Sequence, residues 1–284
     1  MLAILTEEAL RLFFPLCALH AAAWPLVWTW ALRLGPPFGQ TTPPSLWHGH
    51  EMLYGAYGAA LIGFLFTAAP EWTHTPRPSA RLLLSSASLW IAGRLFGLAG
   101  ADGLGLVGGV ADITWLAILL VWLAHVAWRS RSSALVSFLF CLFALLAWEV
   151  GFRQAVAQDS IGPAQGMLER ALLTFCALLG LALMRITPPI TNRILDPDRS
   201  STPFRPHPGR RYLAPALVAL ALVAGLAGGS APVTGYLLIA AGAAFLDRVA
   251  ESFIGPRFFK LEILALAGSA ALTGGGLILL RASR

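Results

Sequence analysis

The sequence predicts an all-α protein, a polytopic transmembrane helix bundle of about nine spans. Three observations predict it. Of 284 residues, 57% are apolar and 12% charged, where a soluble domain carries about a quarter charged. Mean hydropathy is +0.71. Apolar runs of about 20 residues, the length that crosses a hydrocarbon core about 30 Å thick, recur along the whole chain. Such a composition excludes a soluble globular domain, a disordered chain and a small secreted scaffold. Cys17, Cys141 and Cys176 all lie inside apolar runs without CxxC spacing, and read as small core residues.

The runs cover residues 12–32, 47–69, 81–99, 105–128, 133–155, 166–186, 212–228, 232–250 and 261–280. Helix is the open-chain form that satisfies every backbone group in lipid. The first run contains Ala21–Ala23, which imitates a signal-peptide cleavage site. Glu7 and Glu8 stand where a basic leader would be, however, and the apolar stretch continues to Trp30, so it reads as a span. Pro43, Pro44 and Ser45 mark the start of the second, with Ser45 as cap. Breaks are predicted at Gly35-Pro36-Pro37, Pro70, Gly100 to Gly105, Pro188-Pro189, Gly228-Gly229 and Gly255-Pro256. The seventh run is the shortest and the Gly228–Pro232 turn after it is tight, so spans seven and eight are either two crossings or a re-entrant pair. Residues 1–284 are read as a single integral membrane domain, with a Pro- and Arg-rich loop at 187–211.

Basic residues set the orientation. Fourteen fall in the N-terminal tail and in the loops after even-numbered spans, against five on the opposite side. This predicts a cytoplasmic N-terminus, with loop 187–211 lying along the lipid headgroups. The excess of +6 is thereby accounted for, leaving no basis for nucleic-acid binding. Tryptophans mostly near span ends read as an interfacial belt.

Ionisable side chains inside a span cost a few kcal/mol each, about 2.5–3.5 on insertion scales, so each is a candidate for function. The second span opens with Trp47-His48-Gly49-His50-Glu51-Met52. Arg94 and Asp112 lie at equal distances from the turn between spans three and four, which predicts an ion pair. Glu149 and Arg153 are four apart on span five, on one helix face. These residues cluster in the outer third of the membrane. On span two, Gly55, Ala59 and Gly63 form a small-residue stripe that admits a neighbouring helix. His48 and Met52 lie on the stripe, Glu51 beside it, and His50 nearly opposite, in line with Tyr54 and Tyr57. His50 therefore serves a different neighbour, unless the helix begins after it and the bend at its start turns both imidazoles toward one site. Two imidazoles with a thioether suit copper, and imidazole alone suits haem iron. Arg94 and Arg153 have the geometry to hold haem propionates. The competing reading is polar glue between helices. His20 and His125 lie at the wrong depth and read as packing residues; His74 and His207 read as solvated. Asp247, Arg248 and Glu251 read as a structural cluster.

The segments Arg11-Leu-Phe-Phe, Trp47 to Gly55 and Gly63 to Thr73, followed by Trp90-Ile-Ala-Gly93-Arg94, Asp112 and Arg185-Ile-Thr-Pro188-Pro-Ile-Thr191-Asn192, resemble the motifs of the NnrS family in the same order. The resemblance implies a bacterial inner-membrane protein containing haem and copper, linked to nitric oxide metabolism and nitrosative-stress resistance during denitrification. His48, His50 and Glu51 match the family's paired-histidine motif, and Arg94 and Arg185 match its arginines. Glu71 stands where the family usually has Asn. Members usually have more spans, so this chain reads as a C-terminally shortened one, in which a partner or second copy completes the metal site or metal binding is lost. Two alternatives from other classes are a carrier of an ion or small solute, and a non-catalytic subunit or assembly factor of a membrane complex. No nucleophile elbow, P-loop or dinucleotide fingerprint argues for turnover.

Overall fold

A computed structural model describes residues 6–34, 42–99 and 102–282, the side chains of 99, 102–104, 281 and 282 excepted. The predicted breaks at Gly35-Pro36-Pro37 and at Gly100 lie outside the described residues. Within them there is no strand. Nine long helices follow one another: α1 (Ala9–Leu34), α2 (Pro44–Thr73), α3 (Ala80–Ala99), α4 (Asp102–Ser130), α5 (Val136–Ala157), α6 (Ile161–Leu195), α7 (Leu213–Leu226), α8 (Ala231–Val249) and α9 (Leu261–Ala282). Eight are long and apolar enough to cross a membrane. The ninth, α3, carries Arg81 and Arg94 and runs antiparallel to α4, with Gly93 against Asp112 and Gly97 against Gly108. The protein is a multi-pass membrane protein.

The helices form two compact units, residues 1–172 and 173–284, with the boundary inside α6. In the first, α2 is the central element: 67% of its most apolar window is buried, against 17% for α1. The small-residue stripe explains one contact. A Cβ on Gly55 would lie 2.4 Å from His20 Nε2, and one on Gly63 would lie 2.9 Å from Phe13 Cβ, so α1 docks where α2 has only hydrogens. On the opposite face Tyr54 is fully buried and its hydroxyl donates to the Leu145 carbonyl of α5 at 3.0 Å.

Several boundaries depart from the sequence reading, each for a local reason. The helix α2 begins at Pro44, three residues early; Pro43 is its cap, and Ser45 makes no capping bond. A proline in the first turn forfeits a donor that would be unpaired anyway. Pro70 lies inside the last turn of α2, which ends instead at left-handed His74 (φ 53°). Pro188 and Pro189 do not end α6, which continues to Leu195; membrane helices tolerate such prolines when neighbours satisfy the freed carbonyls. The connection predicted as 187–211 therefore shrinks to the stretch after Leu195. Residues Glu51–Tyr57 form a π-helical turn. Two of its carbonyls accept bonds from neighbouring helices: Glu51 from His20 Nε2 at 3.2 Å and Gly55 from Trp90 Nε1 at 3.0 Å.

In the second unit, α7 itself has 14 residues, and the 3₁₀ turn at Pro208–Arg210 before it extends the apolar span to Pro208–Leu226. It pairs with α8 as an antiparallel hairpin. Gly228 (φ 75°) makes the turn, and the Gly229 amide closes it on the Ala224 carbonyl at 2.8 Å. Between α8 and α9 the backbones touch: a Cβ on Gly242 would lie 2.6 Å from the Gly274 carbonyl oxygen.

Candidate functional site

Four helices of the first unit place six ionisable groups in a closed ring. From α2, His50 Nδ1 faces Glu51 Oε1 at 3.6 Å. Glu51 Oε2 pairs with Arg94 Nε of α3 at 3.2 Å. Arg94 Nη2 donates to Asp112 Oδ1 of α4 at 2.7 Å. Arg153 Nη2 of α5 donates to Asp112 Oδ2 at 2.8 Å, and its Nε donates to Glu149 Oε1 at 2.7 Å. Glu149 Oε2 lies 3.0 Å from His50 Nε2, which closes the circuit. Five members are buried; Arg153 alone is partly open, its side chain 27% exposed. The indole of Trp115 adds a donor to Asp112 at 3.0 Å.

Charges stay ionised at this depth only when each faces a partner. The ring holds three carboxylates and two guanidiniums, so its charges balance when His50 carries both ring protons, each then directed at a carboxylate. His20 joins from α1: its Nε2 bonds the Glu51 carbonyl, which only accepts, so this nitrogen bears the proton. The same atom lies 3.5 Å from Glu51 Oε2. His20 is sandwiched by Trp24, stacked at 4.4 Å, and Trp90, edge-on at 5.5 Å.

The second face of α2 is aromatic. His48 stacks on Trp28 at 4.5 Å, and its Nδ1 is buried with no hydrogen-bond partner among the described residues. Met52, one turn along, packs against the Trp24–Trp47 cluster. The indole nitrogens of Trp24 and Trp47 are likewise buried and unpaired.

The structure therefore brings together His50, Glu51, Arg94, Asp112, Glu149 and Arg153. The predicted pairs Arg94–Asp112 and Glu149–Arg153 are both present. His48 and Met52 face α1 as the stripe implies, but no bend turns His48 and His50 toward one site. They serve opposite sides of α2, and His50 is interior because α2 is enclosed on both. Arg185 lies in the second unit, half-buried on α6 within electrostatic reach of Tyr212. His20 was expected at the wrong depth; because α2 starts early, its polar turn sits deep enough to meet it. Trp24, Trp47, Trp90 and Trp115 are buried around these sites rather than in an interfacial belt, whereas Trp128 is 85% exposed. The register that places His20 against Gly55 and Phe13 against Gly63 also places Trp28 against His48, a signal present in the sequence once α1 is docked antiparallel on the stripe.

His50, Asp112 and Glu149 offer ligand atoms within 4.8 Å of one another, a spacing compatible with a metal ion. Arg153 already places a cation there, its Nη2 lying 3.1 Å from His50 Nε2. A metal at this point displaces a guanidinium. The ring consequently fits a metal poorly, and it holds both arginines on the chain's own carboxylates rather than leaving them for a propionate. On the other face, His48 offers one imidazole nitrogen without a partner among the described residues and Met52 a thioether one turn along, donor types that suit a soft cation.

No curated protein and no solved structure matches the chain. The model of the NnrS protein family matches it over residues 4–284, essentially its whole length. The chain belongs to the NnrS family.

Proposed function

We propose that this protein binds copper, with haem as the alternative cofactor, and acts in nitric oxide metabolism and nitrosative-stress resistance from the bacterial inner membrane, its N-terminus in the cytoplasm. The observation that carries the reading is the pair His48 and Met52 on one helical stripe, with the imidazole stacked on Trp28, its Nδ1 unpaired among the described residues, and Met52 packed against Trp24 and Trp47. An imidazole and a thioether one turn apart suit Cu(I). Copper there would be held by these two side chains and would supply a soft centre for a small diatomic ligand. The ring behind it orients α2 by fixing His50 and Glu51. Haem has less support, because Arg94 and Arg153 are engaged in ion pairs. The resemblance to the NnrS family supports the biological setting, and the fourteen-to-five distribution of basic residues supports the orientation.

The test is metal and haem content of detergent-purified protein produced with copper and haem precursor in excess. Wild type is expected to retain stoichiometric copper, and His48→Ala/Met52→Ala to lose it while remaining folded. Copper-free wild type, or a double variant that keeps its copper, overturns the assignment. A Soret band abolished by these substitutions would put haem in its place.

A further inference from the structure

The second unit carries a separate feature at one end, where α6 and α8 finish and α7 and α9 begin. Its connecting segments are tied together. Asn192 accepts from the Phe204 amide at 2.7 Å and donates to its carbonyl at 3.1 Å. Arg257 donates to the Leu195 carbonyl at 2.7 Å, and Arg210 pairs with Asp247 at 2.6 Å. Six cations are exposed on this end: Arg193, Arg199, Arg205, Arg211, Arg257 and Lys260. Two of the acids in the same segments are paired with cations. Asp247 is held by Arg210, and Glu251 by Arg248 at 3.7 Å. Asp196, which accepts from Ser200 and Ser201 and is thereby held ionised, remains with the exposed Asp198 and Glu262 as three carboxylates against the six exposed cations. Exposed aromatics stand among the cations: Tyr212 is 51% exposed, Phe253 67% and Phe259 76%. The turn at the other end of the α7–α8 hairpin, residues 227–230, bears no charge.

We propose that this end is a binding surface for anionic phospholipid headgroups. Guanidiniums and an ammonium in excess over free carboxylates match phosphodiesters of net negative charge. The cations stand where spans emerge, which is the depth of the headgroups, and aromatic rings beside them occupy the layer where amphipathic rings settle. The tied connections hold the charges in place, so lipids bind to a surface already ordered. A basic residue near an anionic leaflet contributes about 1 kcal/mol, roughly fivefold in affinity. The proposal does not depend on copper or haem.

The full chain in nanodiscs of mixed phosphatidylglycerol and phosphatidylcholine, released and weighed by native mass spectrometry, reports which lipid is retained. Wild type is expected to retain phosphatidylglycerol preferentially. Arg205→Gln/Arg211→Gln/Lys260→Gln is expected to reduce that preference at least about tenfold, and Arg205→Lys/Arg211→Lys, which keeps the charge, to preserve it. Arg77→Gln/Arg81→Gln in the first unit leaves it unchanged, and millimolar inorganic phosphate does not displace the lipid. Equal retention of both lipids by wild type overturns the proposal. So does an undiminished preference in the folded triple variant, an equal loss in the Arg77/Arg81 control, or displacement by free phosphate.

Discussion

The two units treat charge in opposite ways. The first buries five of its six ring members and cancels them against one another inside the spans. The second carries most of its charges at one end, exposed or in half-exposed pairs such as Arg210–Asp247. In a low-dielectric interior each ion depends on its partner, so the ring is a single cooperative object. At a solvated helix end each ion is nearly independent. Structural sensitivity should therefore concentrate in the first unit.

The largest effect tests this directly. Glu149→Ala leaves Arg153 and His50 without their shared carboxylate and should cost about 3–5 kcal/mol, read as a lower unfolding midpoint in detergent. A loss under about 1 kcal/mol would mean that the ring is looser than its geometry, since that is the range of exposed pairs. An intermediate effect comes from space rather than charge. A Cβ on Gly93 would lie 2.5 Å from Asp112 Oδ1, so Gly93→Ala pushes the ring apart and should cost about 1–3 kcal/mol. Gly268→Ala, on α9 where a Cβ meets nothing within 4 Å, is its neutral counterpart. The smallest effect belongs to the second unit: Arg210→Gln should change stability by no more than about 1 kcal/mol, and a larger loss would place that pair in the same class as the ring.

The fold was legible because apolar length and helix formation are the same requirement in a membrane; each of the nine predicted spans has its helix. Prolines were the weak signal. Pro70, Pro188 and Pro189 read as breaks because the effect of a proline inside a membrane helix depends on tertiary surroundings that the sequence does not show. Two of the ring's six links were legible as well. Arg94 with Asp112 follows from hairpin symmetry, and Glu149 with Arg153 from helical spacing. Their union was not, since Arg153 reaches Asp112 only because α5 packs beside α4. Which neighbour His50 serves was not legible, for a related reason. A helical wheel separates two faces, but only tertiary packing shows that α2 has protein on both.

The widened turn Glu51–Tyr57 has a consequence for assembly. Its carbonyls at Glu51 and Gly55 take bonds from His20 and Trp90, side chains on two other helices. An isolated second span in lipid has neither donor and lacks both of these interhelical bonds. The broad turn is thus a property of the docked trio α1–α2–α3, acquired after insertion, and the polar groups of α2 reach their final bearings only when their neighbours arrive.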